Sequence, residues 1–301
     1  MPLPRLALAA LLAMPLPLAA AAAETGRIAV MSAFQPEWLS LQADLEGAET
    51  QVINGNTFIT GTLSGQPVVL FLSGVSMVNA AMTTQLALDH FDIDAIVFSG
   101  IAGGIDPSLN IGDVVVAGQW GNYLESIMAR ETDGAFAIPP FLNSPFPNYG
   151  MIFTNETEVA SDRGEPEEKF WFAVDETLLQ TARSVAADTE LADCNAENAC
   201  LEHAPQIRVG GNGVSGSAFV DNAGLREWIF DTFEAQVVDM ESAGVAQVAW
   251  ANQVPFIAFR SLSDLAGGGE GENEMGIFMS LASENSALLV KRFLAAMPKA
   301  Q

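Results

Sequence analysis

The chemistry available to this sequence rests on carboxylates. In AQVVDMESAGVAQVAW (235–250), Asp239, Met240 and Glu241 stand at the end of an apolar run. Charged residues rarely border a buried run without a partner. The simplest role is a helix cap, which would stabilise Glu241 at a helix start by under about 1 kcal/mol. Two further acids stand at comparable places. Asp264 closes PFIAFRSLSD (255–264) behind Ser263, and Glu37 follows RIAVMS (27–32). The chain has two histidines, His90 and His203, and lacks a G-x-S-x-G motif, so a Ser-His-Asp triad is not expected. Acids with almost no histidine suit hydrolysis of a glycosidic bond. One group helps the leaving group depart and another activates water.

The surrounding pattern says how such acids are brought together. RIAVMS, QPVVLFLSG (66–74), DAIVFSG (94–100), DVVVAGQW (113–120), VVDM (237–240) and PFIAFRSLSD read as buried strands. Helical spacing marks 75–91, 241–253 and 280–297. Continuously apolar strands alternating with helices predict an α/β fold: a three-layer α/β/α domain with a mixed, mostly parallel central sheet. Functional groups in such sheets gather beyond the carboxyl ends of the strands. VVDM, its helix and PFIAFRSLSD read as a β-α-β unit with both strands running the same way. Glu241 and Asp264 would then share one sheet edge, joined by Glu37. Residues 121–206, rich in Pro, aromatics and acids, break the rhythm and read as a long insertion packed on the same domain. GGGEGENEMG (267–276) reads as a mobile loop.

The 301 residues support one large domain or two small ones, and the strand–helix pattern favours the single domain. MPLPRLALAALLAMPLPLAAAAAETG reads as a secretory signal peptide over 1–23, with 24–301 as the mature domain and a periplasmic or secreted location. No later stretch has about 20 uninterrupted apolar residues, so no membrane partner is expected for the mature form. The net charge of −25 disfavours nucleic acid. Cys194 and Cys200, the only cysteines, suggest one local disulfide in an exported protein. They supply too few ligands for a metal site, and no cofactor is expected.

VVDMESAGVAQV followed by VPFIAFRSLSDLAGG resembles the nucleoside phosphorylase/nucleosidase superfamily, in its 5′-methylthioadenosine/S-adenosylhomocysteine nucleosidase branch. IAVMSAFQPEW, SGVSMVNAAMTT, SGIAGGIDPSLNIGDVVV and VSGSAFVDN resemble further segments of that family in order. CNAENACLEHAP, VSGSAFVDNAGLREW and SDLAGGG are similar to a secreted subgroup that includes plant bark and vegetative storage proteins. The resemblance implies that Asp264 protonates or hydrogen-bonds purine N7, oriented by Ser263, and that Glu37 activates water. It implies that Glu241 accepts from the ribose 2′- and 3′-hydroxyls, Met240 packs under the ribose, Phe219 stacks on the purine and Val220 meets its edge through backbone groups. Arg260 would sit near the water or hold Glu37, and Ser99 and Gly100 would complete the substrate-binding set at the third strand end. Relatives in this family are oligomers, which implies a homo-oligomer.

The sequence also departs from the family. Ile101 stands where the nucleosidases carry Ser or Thr, Ser217 where Asp is frequent, and Met77 where the family has Lys. Phosphorolysis needs an anion site of Arg or backbone amides. AFQPEW and FSGIAGG supply no base, so hydrolysis of a purine nucleoside is favoured over phosphorolysis. Storage or binding without turnover is the remaining class, and the presence of Glu37, Glu241 and Asp264 argues against it.

Overall fold

The computed structural model describes residues 26–269 and 271–299. The segment read from the sequence as a signal peptide, residues 1–23, lies outside the described residues. The first half runs β1 (Arg27–Ser32), α1 (Gln35–Ala43), β2 (Glu46–Ile53), β3 (Asn56–Leu63), β4 (Gln66–Leu72), α2 (Met77–His90), β5 (Ile93–Gly104), β6 (Val114–Val116) and β7 (Gln119–Asn122). The predicted 113–120 strand is therefore two strands, separated at Ala117-Gly118. Next come the short strands β8 (Ser126–Met128), β9 (Arg130–Thr132), β10 (Ala135–Ala137), β11 (Ile152–Thr154), β12 (Thr157–Ser161), β13 (Gly164–Lys169) and β14 (Trp171–Ala173). The chain ends with α3 (Glu176–Ala186), β15 (Ile207–Val209), β16 (Asn212–Ser215), α4 (Ala223–Phe233), β17 (Ala235–Asp239), α5 (Ser242–Ala251), β18 (Phe256–Asp264) and α6 (Met275–Ala296).

The central sheet runs β14-β7-β16-β17-β5-β1-β4-β3-β2, with β18 on β5 and β6, and β15 on β6. Helices α1, α3 and α6 pack together on one face, while α2 and α5 pack together on the other. The fold is the mixed α/β/α sandwich that the strand pattern predicts. The β2–β3 hairpin was not marked by apolar periodicity, because β2 is polar and exposed. Its turn was legible nonetheless: Asn54 and Gly55 both take positive φ, the hairpin pair that Asn-Gly favours.

Residues 121–206 are woven into the domain. β14 adds to the edge of the central sheet beside β7, and α3 packs on α6, while β8–β13 form three small antiparallel pairs. Cys194 and Cys200 form a disulfide within this region.

One expectation about direction fails. β17 pairs antiparallel with β5 (Val237 with Gly104, Val238 with Gly103), whereas β18 pairs parallel with it. The two late strands therefore run in opposite directions and form no parallel β-α-β unit. Pairing on β5 explains how their acids still meet. β18 occupies one edge of β5 over Ile96–Gly103. On the other edge, β1 pairs parallel up to Phe98 and β17 comes in from Gly104. The carboxyl ends of β1 and β17 thus point at each other across residues 99–102.

Candidate active site

Into that gap three elements deliver acids. Pro36 at the start of α1 suits a first helical turn, where its missing N–H costs nothing. Glu37 on the same turn folds back toward the sheet and is 1% exposed. Its Oε2 accepts from Ala33 N–H at 2.7 Å and Phe34 N–H at 3.2 Å, and its Oε1 from Ile101 N–H at 2.8 Å. Burial raises its pKa, opposed first by Arg260 and then by these amides.

Asp239 ends β17 and does the capping work that sequence offered to Glu241. Its Oδ1 accepts from the backbone N–H groups of Glu241 (3.2 Å) and Ser242 (3.1 Å) at the start of α5, and from the Ser215 hydroxyl. This frees the Glu241 side chain. Glu241 Oε1 accepts from Ser76 N–H at 2.8 Å, and Oε2 lies 3.5 Å from Arg260 Nη2. Ser76 holds φ at 80°, a strained region for a residue with a side chain. Burial pushes the Glu241 carboxyl up to about 7; Arg260 opposes this and Asp239 adds to it.

Arg260 sits among these acids, fully buried. Its Nε lies 2.7 Å from Asp239 Oδ2, while that N–H points at Ser242 Oγ, 3.1 Å away. Its Nη1 is 4.0 Å from Glu37, and its guanidinium lies 4.0 Å over the Phe98 ring. One cation thus faces three carboxylates; burial is the main reason that Glu37 and Glu241 resist ionisation, and Arg260 offsets part of it. Gly100 makes the arrangement possible. A Cβ there would overlap Arg260 Nη1 and come 2.8 Å from Glu37 Oε1.

At the end of β18 a bulge sets the fourth acid. Leu262 pairs with Ala102 and Asp264 with Gly103, so Ser263 is the extra residue. The bulge turns both Ser263 and Asp264 into the cavity. Asp264 is 3% exposed. Its Oδ1 accepts from Ala266 N–H at 2.8 Å and its Oδ2 from the Ser263 hydroxyl at 3.0 Å. Burial raises its pKa above the usual carboxylate range, against those donors.

Glu37, Asp239, Glu241, Ser263 and Asp264 line one cavity of about 220 Å³. Its apolar walls are Phe34, Val75, Ile101, Phe219, Val220, Met240 and Met275. Phe219 is 54% exposed, at the mouth. No Lys or Arg is among the lining residues. The predicted residues separate accordingly. Glu37, Glu241, Ser263, Asp264, Met240, Phe219 and Val220 reach the cavity, while Arg260 and Gly100 stand behind it. Ser99 is a correction. Strand alternation turns it to the opposite face, where its hydroxyl lies 2.9 Å from that of Ser286 on α6. Sequence reasoning missed Phe34, Val75 and Met275, which are loop or helix-end residues without a periodic signal. Among the described residues no group of His, Cys, Asp and Glu is arranged to hold a metal ion.

A profile of the phosphorylase superfamily matches residues 27–295. The 5′-methylthioadenosine/S-adenosylhomocysteine nucleosidase of Geobacillus kaustophilus is 31% identical over 277 residues, 90% of this chain and 97% of that protein. The corresponding protein of Bacillus licheniformis is 29% identical over 269 residues, 89% and 98% of the two chains. The structure of Streptococcus pneumoniae MTA/SAH nucleosidase in complex with 8-aminoadenine is similar with a TM-score of 0.66 at 26% identity, covering 90% of this chain and 100% of that one.

Proposed function

The chain belongs to the phosphorylase superfamily, and within it we propose that it is a nucleosidase hydrolysing the N-glycosidic bond of a purine nucleoside of the 5′-methylthioadenosine/S-adenosylhomocysteine type. The observation that carries this reading is the convergence of Glu37, Glu241 and Asp264 on one cavity without a lining cation. Asp264, whose pKa burial raises, gives its proton to N7 as the N9–C1′ bond breaks and its electron pair moves into the base. Glu37 takes a proton from the water that bonds to C1′. Glu241 accepts from the ribose 2′- and 3′-hydroxyls, and its negative charge favours the oxocarbenium-like sugar. Phe219 and Val220 hold the base, and Met240 lies against the sugar.

Phosphorolysis is disfavoured because Arg260 is already committed to Glu37, Asp239 and Glu241. The test is incubation with 5′-methylthioadenosine with and without phosphate. Adenine release in phosphate-free buffer is expected, and Asp264→Asn should slow it by about 10²–10⁴-fold. Ribose-1-phosphate formed only with phosphate would overturn the hydrolytic reading. Adenine binding without turnover of any nucleoside would favour a storage role.

The leader-like N-terminus supports a periplasmic or secreted location, tested by cell fractionation. Val75 just before α2, and Val78 and Met82 along it, are exposed and support a homo-oligomer, tested by light scattering.

A further inference from the structure

We propose that Asn273 is a positioning residue for Asp264: its side-chain amide donates to Oδ1 and so confines the transferable proton to Oδ2. The proposal rests on the hydrolytic reading above and assigns a role to the Gly-rich loop between β18 and α6. Asn273 Oδ1 accepts from Met275 N–H at 3.0 Å, tying the loop to the first turn of α6. Asn273 Nδ2 lies 3.1 Å from Asp221 Oδ1 and 3.4 Å from Asp264 Oδ1. A primary amide has two N–H donors, so both carboxylates are served at once. Asn222 N–H donates to Ala266 O at 3.1 Å, which closes the same two loops on each other beside Phe219 and Val220.

The two oxygens of Asp264 are therefore unlike. Oδ1 receives the N–H groups of Ala266 and Asn273, and a proton there would face two donors. Among the described residues Oδ2 meets only the Ser263 hydroxyl, whose Oγ is also 3.4 Å from Ala102 O. When Oδ2 is protonated, Ser263 Oγ accepts from it and turns its own proton to Ala102 O. When Oδ2 has given its proton to the base, Ser263 donates back. The Asn273 and Ala266 N–H groups then hold the carboxylate that remains.

Asp221 is the charged group facing Asp264 across Asn273, and its charge raises the Asp264 pKa. Glu37, Asp239, Glu241 and Arg260 gather at the other end of the cavity. Arg226, beneath Gly268, is turned away to the carbonyls of Gly104 and Asp106.

The experiment is the pH profile of 5′-methylthioadenosine hydrolysis by wild type, Asn273→Ala, Asp221→Asn and Asp264→Asn. Activity falls with rising pH as Asp264 loses its proton. Removing the Asn273 donor should move this alkaline limb to higher pH and lower kcat about 10-fold, the worth of one hydrogen bond to a charged group. Asp221→Asn, on an exposed loop, should move the limb the opposite way. An unmoved limb in Asn273→Ala with a raised KM alone would make Asn273 a loop anchor and overturn the proposal. If Asn273→Ala does not fold, an unmoved limb in Asp221→Asn overturns it. Absence of nucleoside hydrolysis by wild type, or a wild-type rate in Asp264→Asn, would sink the hydrolytic reading and this proposal with it.

Discussion

Replacing Glu241 by Gln should make the protein more stable at alkaline pH while weakening its activity. Glu241 is 5% exposed, and its carboxyl is pushed from an ordinary 4.5 to about 7. A carboxyl whose pKa is higher folded than unfolded stabilises the fold while it is protonated. That contribution is complete below pH 4.5 and is lost as pH rises through 7. The interval between 4.5 and about 7 corresponds to about 3 kcal/mol. Gln keeps the shape and an acceptor for Ser76 N–H but cannot ionise. Arg260 keeps Asp239 at 2.7 Å and Glu37 at 4.0 Å, so its charge is still compensated. The assay is urea denaturation of both proteins from pH 4 to 8.5. The stability difference should shift in favour of Glu241→Gln by about 3 kcal/mol across pH 4.5 to 7 and stay level above it. Wild-type and Glu241→Gln curves that stay parallel with pH would refute the account of Glu241 as a buried acid held against its own ionisation.

Two further substitutions test the cluster behind the cavity. Gly100→Ala drives a Cβ into Arg260 and should cost about 2–3 kcal/mol of unfolding free energy in urea denaturation, with turnover lost because Glu37 is displaced as well. Asp239→Asn keeps the α5 cap through its remaining oxygen but removes a charge beside Arg260. It should cost about 2 kcal/mol, less than the roughly 3–5 kcal/mol of an isolated buried pair, since Glu37 and Glu241 remain. Because Asp239 helps to raise the Glu241 pKa, the pH range over which stability is lost should move down in this variant, which the same urea series reads.

Much of this site could be read before any coordinates. Glu37, Glu241 and Asp264 each follow a strongly apolar run, and a buried run that ends in an acid signals a carboxylate at a strand end. The disulfide followed from the only two cysteines and the leader-like start of the sequence. Ser99 was misplaced because its neighbour Gly100 lies on the site side of β5, and strand alternation sends successive residues to opposite faces. Asn273 was invisible, since a polar residue in a Gly-rich loop has no periodicity to mark it.

What sequence alone determined is the set of elements and the acids at their ends, because apolar runs and turn residues act locally. Strand direction was beyond it. An apolar strand reads the same in a parallel or antiparallel pairing, and only its hydrogen-bonded neighbour distinguishes them. The reversal of β17 on β5 is a tertiary decision, and it turns two distant carboxyl ends toward each other. Protonation is tertiary too. A carboxyl is an ordinary acid in the chain, and only burial in the folded protein raises the pKa of Glu37 and Glu241, with Arg260 opposing the rise.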